Sequence, residues 1–164
     1  MADEKIIVRT RGPLDVPGSV SVLEAVFAVG DYPSRWPEDP AAWLNPEGTK
    51  AAWVALDARN EEILGHIALC QSLEDPGTVL VTRLFVSPRV RGRGLGAGSQ
   101  LLRRPLQWAQ QAGMELQLDV VESSTPAVGL YERLGWKFLR REPARWIDAQ
   151  GRHPMLRIYA APQP

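Results

Sequence analysis

Residues 84–97 have the sequence LFVSPRVRGRGLGA, and this stretch decides the fold. An apolar run typical of a strand stops at Pro88, a basic, glycine-rich loop follows, and helix-favouring residues begin directly after the loop. Glycine lets the backbone adopt positive φ and approach a ligand closely. The first turn of a helix has unpaired N–H groups, and the helix dipole favours an anion there. The stretch therefore predicts a phosphate-binding loop, and an ordinary surface turn is the weaker alternative.

The glycine spacing excludes two common nucleotide-binding loops. A Walker loop requires a lysine followed by serine or threonine after its last glycine, whereas an alanine follows Gly96. The dinucleotide fingerprint requires Gly-x-Gly-x-x-Gly, and Gly92, Gly94 and Gly96 are too tightly spaced for it. Gly98 makes the register of the motif ambiguous, because Gly94, Gly96 and Gly98 repeat the same spacing. The element that remains is Arg91-x-x-Gly94-x-Gly96.

This element resembles the coenzyme A pyrophosphate loop of the GNAT acetyltransferases. Residues 127–136, with the sequence AVGLYERLGW, are similar to the second hallmark of that family, a short helix that bears a tyrosine and ends in Leu-Gly-aromatic. One helix and one strand separate the two elements, as in the family. The resemblance covers about residues 53–138, and its two motifs together are much more specific than either alone.

The order of elements predicts one α/β domain, with a mixed, mostly antiparallel sheet and helices on both faces. The resemblance implies the same order, the GNAT acyl-CoA N-acyltransferase fold. The first helix is expected to begin at Ser19 or Ser21 and to run through Ala28. The other predicted elements are strands at 6–9, 50–57, 63–73, 78–86, 116–121, 136–140 and 156–160, a helical turn at 41–44, and helices at 94–112 and 126–134.

The resemblance implies acetyl-CoA as the cofactor and names the residues that would hold it. The strand end would separate from its neighbour and pair with the amides of the pantetheine arm, while backbone N–H groups of the loop would hold the pyrophosphate. Ser124 stands where relatives often carry an asparagine that contacts the cofactor. The implied cofactor-binding residues are Leu84, Phe85, Val86, Arg91, Gly92, Arg93, Gly94, Leu95, Gly96, Ala97, Ser124 and Tyr131.

Tyr131 aligns with the tyrosine that serves as general acid in many relatives. A phenol with an ordinary pKa near 10 stays protonated at neutral pH and can protonate a leaving thiolate. The alternative is a tyrosine packed in a helix–sheet core with its hydroxyl bonded.

The general base is not evident from the sequence. Relatives often carry Glu or His on the strand before the loop, where this chain has Leu80 and Thr82. Thr82 could orient a water, and His66 and Asp119 are the remaining base candidates that we single out. A lone strand histidine is more often structural, and an ordered water chain without a dedicated base is an equally good account.

The acceptor site is expected near residues 31–44, because acceptor specificity in the family usually resides in this front segment. Tyr32 and Trp36 offer apolar walls, and Asp31 could hold a cationic amine. The predicted substrate-binding residues are Asp31, Tyr32, Arg35 and Trp36. The alternative is that the aromatic side chains only cap the core.

Composition limits the classes of partner. The chain has 164 residues, 45% of them hydrophobic, and we expect a single domain over residues 1–164. Lysine plus arginine and aspartate plus glutamate both total 19, so the net charge gives no argument for a nucleic acid or membrane partner. One cysteine, Cys70, and a charged N-terminus without an apolar signal core indicate a cytoplasmic protein. We expect no metal site, and the resemblance allows a homodimer.

The sequence therefore predicts an acetyl-CoA-dependent N-acetyltransferase. It would transfer an acetyl group to a primary amine of a small molecule or peptide, by direct attack within a ternary complex. The alternative is a non-catalytic acyl-CoA-binding or protein-interaction module of the same fold.

Overall fold

Seven strands and four α-helices form the described parts of the chain, which are residues 5–30, 32–92 and 96–163 of the computed structural model. In chain order they are β1 (Ile6–Thr10), α1 (Val16–Val29), α2 (Pro40–Trp43), β2 (Thr49–Asp57), β3 (Ile63–Gln71), β4 (Thr78–Val86), α3 (Ala97–Ala112), β5 (Glu115–Val121), α4 (Thr125–Arg133), β6 (Lys137–Pro143) and β7 (Met155–Ala160). None of the helices in these ranges is long and apolar enough to cross a membrane.

One sheet contains all the described strands, in the order β1-β2-β3-β4-β5-β7-β6. Only β4 and β5 pair in parallel, and the other neighbouring strands of this sheet are antiparallel. A parallel pair requires a crossover connection, which α3 provides. The result is the predicted mixed, mostly antiparallel sheet.

Helices cover both faces of the sheet, as predicted. Phe85 on β4 packs with α1 and α2, in a cluster that includes Val22, Leu23 and Leu44. Its neighbours in sequence, Leu84 and Val86, pack instead against the larger cluster that contains α3. Because successive side chains of a strand point to opposite faces, α1 and α2 lie on one face and α3 lies on the other.

The observed start of α1 corrects one prediction. The helix begins at Val16, with Pro17 in its first turn, and not at a serine cap. Proline suits this position because the N–H that it lacks would have no partner within the helix. Ser19 is fully buried inside the helix, so it does not cap it. Pro105 lies inside α3 as predicted, and Gly113 ends that helix in the left-handed conformation.

His66 on β3 is completely buried, and both of its ring nitrogens have partners. The main-chain oxygen of Arg83 lies 2.9 Å from Nδ1, so Nδ1–H donates that bond. Nη1 of Arg11 lies 2.8 Å from Nε2, which accepts from the guanidinium. Burial lowers the pKa of His66 to about 4, and the charges of Arg11 and Arg83 add to this effect, although the bond to the Arg83 oxygen opposes it. The structure thus contradicts the predicted role of His66 as a base, because the ring has no free lone pair for a substrate proton.

We expect part of the folding stability to be lost between about pH 7.5 and about pH 5 because of His66. The unfolded chain protonates this histidine near pH 6.5, whereas the folded chain resists protonation until about pH 4, so acid favours the unfolded state. This single group accounts for about 2 kcal/mol of unfolding free energy over that interval. Urea unfolding at the two pH values measures the effect.

The matched control is His66→Asn, whose amide does not titrate. Its loss of stability on acidification should be smaller than that of the wild type by about 2 kcal/mol. Equal losses in the two proteins would show that His66 is not held neutral by the fold.

Candidate active site

β4 and β5 separate part of the way along their length. Their pairing runs from Thr78 opposite Glu115 to Val81 opposite Leu118 and stops there. Beyond that point β4 stays paired with β3 as far as Val86, and β5 stays paired with β7. One edge of β4 therefore loses its strand partner over its last residues, and its backbone groups are open to a ligand or water.

A β-bulge at Arg83 accompanies this separation. Arg83 has φ of +55°, in the left-handed region, and the β3–β4 register shifts at the same place. A bulge adds a residue to one strand, bends it and re-aims a side chain. The Arg83 guanidinium lies over the Trp43 ring at 4.0 Å from the centroid, so it is directed to the face covered by α2.

The glycine-rich loop has the backbone form expected of an anion cradle in its described part. Gly92 and Gly96 have φ of +72° and +67°, which side chains rarely adopt. A Cβ atom at either position would meet nothing within 4 Å, so open space lies next to the loop backbone. Gly96 is the N-cap of α3, and no side chain caps this helix start. These features fit a pyrophosphate group. Arg93, Gly94 and Leu95, also predicted to bind the cofactor, lie outside the described residues.

The other predicted cofactor residues surround this loop. Arg91 and Ser124 are exposed, and Ala97 is buried at the first turn of α3. Ser124 is the N-cap residue of α4, and its side chain makes no capping bond. A Cβ atom on Gly98 would lie 3.7 Å from Leu130, so the start of α3 lies next to α4.

Tyr131 on α4 is 7% exposed and has a hydroxyl without a hydrogen-bond partner among the described residues. Its ring packs against Trp136 and Tyr159 at centroid distances of 6.1 and 6.3 Å. In the described ranges, the Ser19 hydroxyl is the only side-chain polar atom that is both fully buried and without a hydrogen-bond partner. The Tyr131 hydroxyl also has no partner there, so it is not fully buried and can be reached by solvent or a ligand. Burial raises the pKa of Tyr131, and the charge of Asp119 raises it further. The phenol is therefore held protonated at neutral pH.

Asp119 lies on β5 immediately after the last residue paired with β4. Its neighbours Leu118 and Val120 pack into the α3 cluster, so Asp119 points to the opposite face. Asp119 is exposed, yet the protein around it removes part of the hydration of its carboxylate. This desolvation raises its pKa, the charge of Glu142 raises it further, and the charge of Arg83 opposes both. Asp119 is thus a more basic carboxylate than usual.

Tyr32 joins this group from the front segment. Its ring lies 5.9 Å from Trp43 and 6.3 Å from Phe85. Tyr32 is 36% exposed, yet desolvation by the protein around it raises the pKa of its phenol, and the charge of Arg83 opposes that effect. The charges of Asp119 and Tyr131 raise this pKa further, so the four groups lie in the same region of the fold.

The remaining acceptor candidates are spread more widely. Trp36 packs against Phe27 on α1 at 5.3 Å, rather than against Tyr32. Arg35 is exposed. Asp31 lies outside the described residues. Among the described members of the predicted acceptor set, only Tyr32 lies in the same region as Tyr131 and Asp119.

Thr82 is half-buried next to this group, and its hydroxyl accepts a hydrogen bond from Nη1 of Arg83 at 3.2 Å. Arg83 and Glu142 are two charged residues of this region that sequence reasoning missed. The available signal for Arg83 was its position as a charged residue within an otherwise apolar strand. Glu142 had no sequence signal, because only the sheet brings β6 near β5.

Comparison with known proteins identifies the family. The sequence model of the acetyltransferase (GNAT) family matches residues 21–136. An L-methionine sulfoximine/L-methionine sulfone acetyltransferase of Pseudomonas paraeruginosa is 28% identical over 158 residues, covering 86% of this chain and 89% of that protein.

Solved structures show the same fold at low identity. The ribosomal-protein-S18-alanine N-acetyltransferase of Escherichia coli has a TM-score of 0.72 and 19% identity, covering 96% of this chain and 93% of that one. NAA60 of Arabidopsis thaliana, in complex with acetyl-CoA, has a TM-score of 0.75 and 19% identity, covering 95% and 97%.

The family model covers well over half of the chain, and it confirms the family and the enzyme class that the two motifs predict. The family uses acetyl-CoA, and the backbone of the separated strands and the loop fits this cofactor. The chain is an N-acetyltransferase and belongs to the GNAT acetyltransferase family.

Proposed function

We propose that the space between the separated ends of β4 and β5 is the active site of this N-acetyltransferase. The observation that carries the proposal is the convergence of a protonated phenol, Tyr131, and a basic carboxylate, Asp119, at this space. Transfer of an acetyl group to an amine needs a proton removed from the amine and a proton delivered to the leaving thiolate. The two side chains have the protonation states that these two tasks require.

The chain holds its donor mainly through backbone groups. The unpaired edge of β4 over Leu84, Phe85 and Val86 would pair with amides, and Gly92, Gly96 and Ala97 would present N–H groups to phosphates. Arg91, Arg93, Gly94, Leu95 and Ser124 complete the proposed set. When bound, acetyl-CoA supplies the acetyl group as an activated thioester.

Tyr131 is the proposed general acid. Its hydroxyl is accessible and has no partner in the described part of the chain, so its proton is free to be donated. Burial and the nearby Asp119 charge both keep that proton on the oxygen until a stronger base, such as a thiolate, forms next to it.

Asp119 is the proposed general base, acting on the ammonium form of the acceptor directly or through one water. Its raised pKa makes it a better proton acceptor than an ordinary aspartate. Thr82 is the proposed positioning residue for that water, since its hydroxyl accepts from Arg83 and can donate onward.

The proposed acceptor is a primary amine on a small molecule, and Tyr32 forms one wall of its site. The Pseudomonas relative acts, by its name, on derivatives of an amino acid, which supports an acceptor of similar size. Asp31, Arg35 and Trp36 are the proposed outer contacts.

A homodimer and a cytoplasmic location are further proposals. β6 is an edge strand whose side chains are almost all exposed, including the apolar Phe138 and Leu139, and the backbone edge of this strand supports pairing with a second copy. The single buried cysteine supports a reducing compartment.

The direct test combines acetyl-CoA calorimetry with a thiol-release screen over free amino acids, polyamines, aminoglycosides and peptides. We expect binding at micromolar acetyl-CoA and thiol release with at least one small amine. Binding without release across the whole panel would instead support the non-catalytic acyl-CoA-binding module.

We expect Tyr131→Phe to lower kcat by about 100-fold, because the variant lacks the proton donor. The Kd for acetyl-CoA should stay within a factor of about 3, since backbone groups provide most of the contacts. Steady-state thiol release and calorimetry measure the two quantities.

Tyr159→Phe is the matched control. Its ring is the neighbour of Tyr131, but its hydroxyl is already bonded, donating to Glu132 and accepting from Arg157. Its kcat should stay near that of the wild type. A Tyr131→Phe variant with unchanged kcat would rule out the acid role.

The pH profile of kcat/KM tests Asp119. Activity should fall as pH decreases through the pKa of Asp119, because the base becomes protonated. Asp119→Asn should abolish this acidic limb and lower kcat/KM by about 100-fold.

Glu142→Gln should shift the same limb to lower pH, since the Glu142 charge raises the pKa of Asp119. A limb that survives in Asp119→Asn, or that does not move in Glu142→Gln, would assign the base to another group.

A further inference from the structure

We infer that Arg83 binds the carboxylate of the acceptor and thereby selects zwitterionic α-amino acids over plain amines. The inference rests on the proposed function, because it needs the acceptor to enter the space between β4 and β5. It goes further in naming a specificity-determining residue and the chemical class that this residue selects.

Arg83 is fixed in position by contacts on one side of its guanidinium. Nε donates to the main-chain oxygen of Trp43 at 2.8 Å, and Nη1 donates to the Thr82 hydroxyl at 3.2 Å. The Trp43 ring lies beneath the guanidinium at 4.0 Å. A bulge residue held by two hydrogen bonds and a ring is pre-organised, so little side-chain entropy is lost when it binds a ligand.

The other side of the guanidinium has donors left over. Arginine has five N–H donors, and the described residues use one on Nε and one on Nη1. Nη2 has no hydrogen-bond partner among the described residues, and it is not fully buried, so a ligand can reach it. Nη1 and Nη2 together can form the two parallel bonds that a carboxylate accepts.

The charge of Arg83 is also uncompensated. Among the described residues no carboxylate lies within ion-pair distance of it, although it is half-buried. Burial lowers the pKa of Arg83, which shows that the charged form lacks full solvation here. An anionic group on the ligand would supply the missing counter-charge.

Asp119 makes this site complementary to a zwitterion. It carries the opposite charge, lies at the same end of the separated strands, and is close enough to affect the pKa of Arg83. An α-amino acid bears an ammonium and a carboxylate on one carbon, so its ammonium can face Asp119 while its carboxylate faces Arg83. A polyamine offers no group for Arg83 and leaves its charge unpaired.

The test compares the best amino acid acceptor from the thiol-release screen with the α-carboxamide of the same amino acid. In the wild type, kcat/KM for the acid should exceed that for the carboxamide by about 10- to 100-fold. Arg83→Gln should remove this preference by raising KM for the acid more than KM for the carboxamide, so that the two values of kcat/KM become nearly equal. Arg83→Lys, which keeps the charge, should restore part of the preference.

Arg145→Gln is the matched control, because Arg145 is an exposed arginine paired with Glu74, and neither residue belongs to the proposed site. It should keep the wild-type preference. Wild-type enzyme that uses acids and carboxamides equally would overturn the inference and leave the proposed function intact. Arg83→Gln that slows both acceptors equally would also overturn it, since a purely structural role predicts that result. No thiol release with any amine would overturn the proposed function and this inference together.

Discussion

The parallel pairing of β4 and β5 ends at Val81 and Leu118, and the rest of the active site depends on this limit. β5 stays paired with β7, and β4 stays paired with β3. The two strands therefore remain apart where the bulge at Arg83 bends β4. The separation opens backbone groups that would otherwise be satisfied within the sheet. The separation also leaves Asp119 near enough to Tyr131 for its charge to raise the pKa of that phenol.

Electrostatics in this space follow from partial burial. Desolvation raises the pKa of Asp119 and Tyr131 and lowers that of Arg83. In all three groups it favours the neutral form over the charged form. Asp119 and Arg83 partly offset each other without forming an ion pair. The proposed site would suit a ligand that carries both signs of charge, with the proposed proton donor and proton acceptor beside it.

The sequence predicted the sheet well because its signals are local. Apolar strands bounded by turns, and helices ended by glycine, depend on residues near one another in the chain. The start of α1 was missed because a serine was expected to cap it, whereas the helix begins earlier and has Pro17 in its first turn, a position that suits proline. His66 was misjudged for a different reason. Its role depends on Arg11 and on the Arg83 main chain, which approach it only across the sheet.

The sequence by itself determined the family and the cofactor and singled out the proposed proton donor, because a glycine-rich loop and a tyrosine helix are short motifs whose chemistry lies in adjacent residues. The tertiary structure decided which charged residues lie near the separated ends of β4 and β5, where we propose that the acceptor binds. Arg83, Asp119 and Glu142 lie on three different strands, and nothing in their local sequence states that they share one space. Burial and distance set their pKa values, and both are properties of the folded sheet.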